Sequence, residues 1–214
     1  MLEIKDIISR VRNRTHDSQK TGYTDRHILE CINDGIRFIR RIIKDYKPLI
    51  LAEPPATGTL LAGVNQVTLL FPITKMLDIR VNGARIGVTD LANITDLTVK
   101  DTPYAYSLTG FSTVNFYPTP DKDATYSIVA VGDFTEVDLT GKSPFPNDFD
   151  DFLIEYAVIR LAAGNEYDMT QETNLIGSIL QQIQNNLIGD GNPVNQVSGY
   201  FNPLPQDYNC IRIV

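Results

Sequence analysis

Four carboxylates fall within eight residues of one another in "FPNDFDDFLIEYAVIRLA", residues 145–162: Asp148, Asp150, Asp151 and Glu155. Hydrolysis of a glycosidic bond needs two such groups several ångströms apart, one of them with a raised pKa. Asp151 and Glu155, four residues apart, share one face of a helix. The same acids also have a simpler physical cause. Pro144 and Pro146 hold the chain extended, Asn147 can cap, and the acids then fill a first turn whose unsatisfied N–H groups carry about half a positive charge. No second sign of chemistry accompanies them, so the structural reading is preferred.

The remaining reactive side chains are few. His16 and His27 are the only histidines, and neither belongs to an HExxH motif or a His–carboxylate cluster. Acyl transfer needs a nucleophile, a base and an oxyanion site, and neither histidine has that setting. GxSxG, GxxxxGK[ST] and GxGxxG are absent. "GDGN" at 189–192 follows a helical pattern, whereas a phosphate cradle follows a strand. Cys31 and Cys210 are far apart with no CxxC partner; Cys31 reads as a small core hydrophobe, and neither a zinc site nor a disulfide framework is expected. The sequons Asn13-Arg14-Thr15 and Asn93-Ile94-Thr95 carry no weight without a secretory signal, and "MLEIKDIISRVRNR" is too charged to be one. We expect no cofactor, no metal and no catalytic residue, and a chain that starts at or near Met1.

The 214 residues, 43% hydrophobic and 21% charged, are ordinary for a folded chain with a sizeable core. No run approaches the roughly 20 apolar residues of a membrane helix. The net charge of −7 is uneven: residues 1–50 carry 11 Lys and Arg against 7 Asp and Glu, and residues 51–214 carry 8 against 19. An acidic body disfavours tight non-specific nucleic-acid binding, which needs clustered cations.

The elements that position these residues follow from periodicity. Ile4, Ile7, Ile8 and Val11 predict a helix over Leu2 to Arg12. Thr24 stands as an N-cap before Asp25, and Ile28, Leu29, Ile32, Ile36, Ile39 and Ile43 predict a helix over Asp25 to Lys44. Pro48 and the Pro54-Pro55 pair stop it. Between Thr57 and Phe134 short β-branched and aromatic runs alternate with turns: "QVTLLF", "MLDIRVNGARIGVT", "TDLTVKD", "AYSLTG", "TVNFYP" and "TYSIVAVGDF". Asn82-Gly83 signals a type I′ hairpin. In "VNFYPTPDKDATYSIVAV" a strand, a proline turn and a returning strand are expected. The carboxylate-fronted helix follows, with its apolar stripe of Phe149, Phe152, Leu153, Tyr156, Ile159 and Leu161. It ends near Gly164-Asn165, and a second helix runs from about Thr170 to Ile188 with Leu175, Ile176, Ile179, Leu180, Ile183 and Leu187 on one face.

The fold class is therefore α+β, with helical elements at both ends of a small antiparallel β sandwich or barrel. The expected division is N-terminal helices at 1–50, a β domain at 57–135, a helical hairpin at 146–188 packing with the N-terminal helices, and an extended C-terminal arm at 189–214. That arm is rich in Pro, Asn and Gly but also in aromatic and branched residues, unlike a disordered tail. Val197, Tyr200, Phe201, Leu204, Tyr208, Ile211 and Ile213 are its candidate anchors on a partner surface, because buried aromatics dominate interfaces. Folding back on its own domain is the competing reading of the arm.

The order of parts resembles a known family. "TDRHILECINDGIRFI", "VNFYPTPDKDATYSIVAV" and "FPNDFDDFLIEYAVIRLA" are similar to the opening helix, the end of the β domain and the acidic aromatic helix of tailed-phage head-to-tail adaptor proteins. The resemblance covers most of residues 1–188. It departs in having no tryptophan, which the family often carries near the β domain or early helix. It implies a structural virion protein at the head–tail junction, assembled in the host cytoplasm without a membrane. The implied assembly is a ring of identical subunits, commonly twelve, that joins the portal to tail or nozzle proteins and continues a channel through which DNA passes non-specifically. Two alternatives stand beside it: a tail-associated cell-wall glycan hydrolase using the acidic cluster, and a monomeric peptide-binding module.

Overall fold

The computed structural model describes residues 1–90, 94, 96, 98–163 and 170–188. The chain divides into two compact units, Met1–Ile42 with Thr135–Val214, and Ile43–Phe134.

In the first unit α1 spans Ile4–Arg14 and buries Ile4, Ile7, Ile8 and Val11, the positions its spacing predicts. Its entry is fixed by a short antiparallel pairing, with Ile4 N donating to Gly141 O at 3.0 Å and Ser143 N to Leu2 O at 2.9 Å. The second helix, α2, spans Asp25–Tyr46, its last four residues belonging to the second unit. Thr24 caps it as expected, its Oγ1 accepting from His27 N at 3.1 Å. Helix α3 spans Asp150–Ala163 and α4 Thr170–Ile188.

The start and surroundings of α3 differ from the sequence reading. A 3-10 turn, Asn147–Phe149, precedes it, and no side-chain cap forms there; the Asn147 side chain takes the Met1 amino group instead. Nor does α3 show a single apolar stripe. Phe152, Leu153, Ile154, Glu155, Ala157, Val158, Ile159 and Leu161 are all buried, the mark of a helix packed over most of its circumference, with Asp151 and Arg160 exposed. Phe38 of α2 stacks on Phe152 with ring centroids 5.9 Å apart. Gly35 of α2 permits the approach: a Cβ there would lie 3.2 Å from both Leu153 Cδ2 and Tyr156 Cδ1. In α4, Ile176, Leu180, Ile183 and Leu187 are buried, while Leu175 of the expected stripe is exposed. The expected end of α3 at Gly164-Asn165 lies outside the described residues.

The second unit is a β sandwich. Strands β1 (Ala56–Leu60), β8 (Ala124–Gly132), β3 (Ile73–Val81) and β4 (Ala84–Arg85) form one sheet in that order. The other has the order β2 (Gln66–Thr68), β7 (Thr113–Tyr117), β6 (Ala105–Thr109) and β5 (Gly87–Val88). Leu60, Ile79, Val81, Ile128 and Ala130 of the first sheet join Val114 and Phe116 of the second in one buried cluster, as two inner faces of a sandwich do. Asn82 and Gly83 have φ of 50° and 80°, the conformation a type I′ turn demands.

Strand β8 returns after the proline turn as expected, and the turn carries it into the other sheet, between β1 and β3. Two expectations in this unit need correction. The pairing is not wholly antiparallel, since β5 runs parallel to β6. In "TDLTVKD" the described residues form no strand; Thr98 folds back on Asp96, its N–H donating to Oδ1 at 2.8 Å, and Lys100 makes an isolated bridge to Thr119. Strand β1, by contrast, has no counterpart among the runs read from sequence. Its Gly58 lies opposite Tyr126, whose hydroxyl would sit 2.7 Å from a Cβ at that position. The tyrosine ring thus covers the bare backbone of an edge glycine.

Candidate interaction site

The acidic cluster does not come together as a reaction centre. Asp150 is 1% exposed, and both of its carboxylate oxygens lack a hydrogen-bond partner among the described residues. Glu155 is 8% exposed; its Oε1 takes Arg14 Nη2 at 2.6 Å, and its Oε2 is buried without a partner among the described residues. Asp151 is exposed, so the pair expected to share a helix face is divided between solvent and core. The side chain of Asp148 lies outside those described. A glycosidase sets two accessible carboxyls across a cleft, and the described acids of α3 do not have that arrangement.

A groove of about 400 Å³ does open in the same unit, between α1 and the α1–α2 connection. Its lining includes Lys5, Ile8, Ser9, Asn13, Lys20 and Leu139, with Asp25 as the one carboxylate. Asp25 is already engaged, by Arg12 Nη2 at 2.6 Å and by Lys20 Nζ at 3.6 Å.

Beneath the groove lies a network that the sequence reading missed. Arg12 is buried and spends its guanidinium on Asp17 Oδ2, Asp25 Oδ1 and Tyr23 O. Asp17 accepts the backbone N–H groups of Thr21, Gly22 and Tyr23 at 2.8, 2.9 and 3.1 Å. The Gly22 N–H leads in holding the Asp17 carboxyl below the usual range, and the Arg12 charge adds to it. For Asp25 the Arg12 hydrogen bond leads, followed by the charge of Lys20. The available signal was Arg12 itself, a cation at the i+4 and i+8 positions of the stripe begun by Ile4 and Ile8.

The other reactive groups are spectators. His16 and His27 are both exposed, and His27 meets Tyr23 edge-on at 6.0 Å. Burial pushes the Cys31 thiol up to about 11, which keeps it protonated and inert. Among the described residues there is no group of three His, Cys, Asp or Glu able to hold a metal. No helix of the described residues is long and apolar enough to cross a membrane.

The surface instead offers apolar contact. In the β unit Leu61, Val64, Leu70, Val88, Tyr104 and Phe111 are exposed. Leu70 is fully so, at 104%. It lies in the turn bracketed by two bonds to the β6–β7 hairpin, Leu69 N to Ser112 O at 2.8 Å and Ile73 N to Phe111 O at 2.5 Å. The seven C-terminal anchors, Val197 to Ile213, lie outside the described residues.

The described residues thus form an α+β chain with apolar side chains left open on its sandwich. The family comparison gives that form a specific identity: the model described as "SU10 adaptor protein" matches residues 3–197. The chain belongs to the SU10 adaptor protein family, in agreement with its resemblance to phage head-to-tail adaptors, and its role is that of a phage structural adaptor. No curated protein matches it. Val197 is the last residue of the family match, so the other six C-terminal anchors fall beyond it.

Proposed function

We propose that the protein forms a ring of identical subunits, twelve in number, between the portal and the tail or nozzle proteins, and that the ring continues the channel for DNA. The match to the adaptor family over residues 3–197 carries this reading. Charge supports it: the net +4 of residues 1–50 and the net −11 of residues 51–214 can meet across a heterologous junction, in which one patch binds a different patch on the next copy. The protein works without a bond-making step, assembled in the host cytoplasm and placed at the head–tail junction of the virion. Its working parts are the helices of residues 1–50 and 146–188, the sandwich of 57–135, and a docking arm of 189–214.

The test is to mix the purified chain with portal rings and image the product. A twelve-fold layer beneath the portal is the expected result. A chain that binds no portal, or occupies another place in the virion, overturns the reading. Removing residues 190–214 should leave a folded protein that no longer joins its partner.

A further inference from the structure

Residues 54–74 contain no Asp, Glu, Lys or Arg, the longest uncharged run in the chain. The fold gives this run a particular place. Among the described residues it supplies β1, which pairs only with β8, and β2, which pairs only with β7. Both open edges on one side of the sandwich therefore belong to a single uncharged segment. Its connecting loop is held against the β7–β8 crossover, with Gly63 N donating to Pro120 O at 2.8 Å.

An edge strand shows a row of unpaired backbone donors and acceptors, and proteins guard such rows with charges, prolines, bulges or brevity. The opposite edges follow that rule. Strands β4 and β5 are two residues each, and Arg85 sits in β4. Strand β1 has five residues and no charge, and Leu61, Val64 and Leu70 stand exposed along the same run. An unguarded edge beside exposed aliphatics fits an added strand that is itself extended, uncharged and apolar.

The chain contains one segment of that chemistry beyond its described elements. The 26 residues after Ile188 carry three charged side chains, and "YNCIRIV", residues 208–214, holds only Arg212 of these and has the β-forming composition of a strand. Fully extended, 26 residues reach about 85 Å, against a radius of gyration of about 17 Å for a compact chain of this length. Resting on the ring reading above, we infer that residues 208–214 of each subunit add as a strand to the β1 edge of the neighbouring subunit. In a closed ring every copy then gives one arm and receives one, and no edge is left open.

Cys210 makes the inference testable in the full chain, because the other thiol, Cys31, is buried and inert. Thr57→Cys and Thr59→Cys place a second thiol on β1, and Val88→Cys places one on the far edge as a control. Each variant is assembled on portal rings, imaged, oxidised with copper–phenanthroline and run on a non-reducing gel. The expected result is a ladder of linked chains for Thr57→Cys or Thr59→Cys, lost when Cys210→Ser is added and absent with Val88→Cys. Rings that form normally but give no link at β1, or links only within a single chain, overturn this inference and leave the ring standing. An unsubstituted chain that forms no ring on the portal overturns the ring reading and this inference with it.

Discussion

Arg12 Nη1 lies 2.5 Å from Asp17 Oδ2, and both side chains are buried. The pair closes the α1–α2 connection: Asp17 gathers three backbone N–H groups of that loop while Arg12 reaches past it to Asp25 and Tyr23 O. Removing one partner of a buried pair costs more than the pair contributes, because the other charge is left without compensation. Arg12→Met should lower the urea midpoint clearly and raise amide exchange across residues 15–24. The double variant Arg12→Met, Asp17→Asn should recover part of the loss. A single variant as stable as the parent would contradict the clamp.

The same network sets an acid limit. Asp17 and Asp25 titrate below their ordinary value of 3.8 in the folded chain, so the folded state binds fewer protons near that pH than the unfolded state. The stabilisation is present in full above the unfolded pKa and disappears as pH falls through the lower folded values. Stability from this source should therefore be flat from pH 7 to about 5 and fall below about pH 4. Urea titrations across that range should show the fall, and Asp17→Asn should make it shallower.

Gly58 is expected to resist every substitution. A Cβ there would meet Tyr126 at 2.7 Å from the hydroxyl and 2.8 Å from Cζ, and the Tyr126 ring packs tilted on Phe116 at 6.3 Å. Gly58→Val should cost about 1–3 kcal/mol through overpacking. Chemical denaturation of the double variant Gly58→Val, Tyr126→Ala should show coupling, with the valine less harmful once the ring is gone.

Phe152 is fully buried in α3 and stacks on Phe38. Phe152→Ala should cost about 3–5 kcal/mol. Asp151→Asn, one residue earlier and exposed, should stay within about 0.5 kcal/mol of the parent, without effect on assembly with portal rings. A glycan hydrolase would reverse that ranking: Asp151→Asn would abolish turnover of cell-wall material while Phe152→Ala lowered only stability.

Elements with strong local signals were legible in the sequence. Thr24 before the isoleucine series marked α2, and Asn82-Gly83 marked a hairpin, because in each case the deciding interaction spans fewer than four residues. Strand β1 was hidden because "ATGTL" is short and built of small residues, and it owes its place to pairing with a strand more than sixty residues away. The turn after Tyr117 was legible but not the sheet it leads to, because a proline turn reverses the chain equally well within one sheet or between two. Helix α3 reads as a single apolar stripe from local spacing, whereas Glu155 is buried against Arg14, 141 positions earlier. The acidic cluster was visible as composition, but its division into exposed Asp151 and buried Asp150 and Glu155 depends on packing that no local spacing encodes.

The crossover has a consequence for how the chain is made. Ala56 pairs with Ile128 and Leu60 with Ala124, so β1 emerges from the ribosome long before its partner exists. At about 5–20 residues per second, the delay is roughly 4–14 seconds. Through that interval an uncharged run with unguarded strands is in open solution beside other nascent copies. Chaperone supply should therefore raise the yield of native protein, and the sandwich should mature only once β8, which ends at Gly132, has emerged.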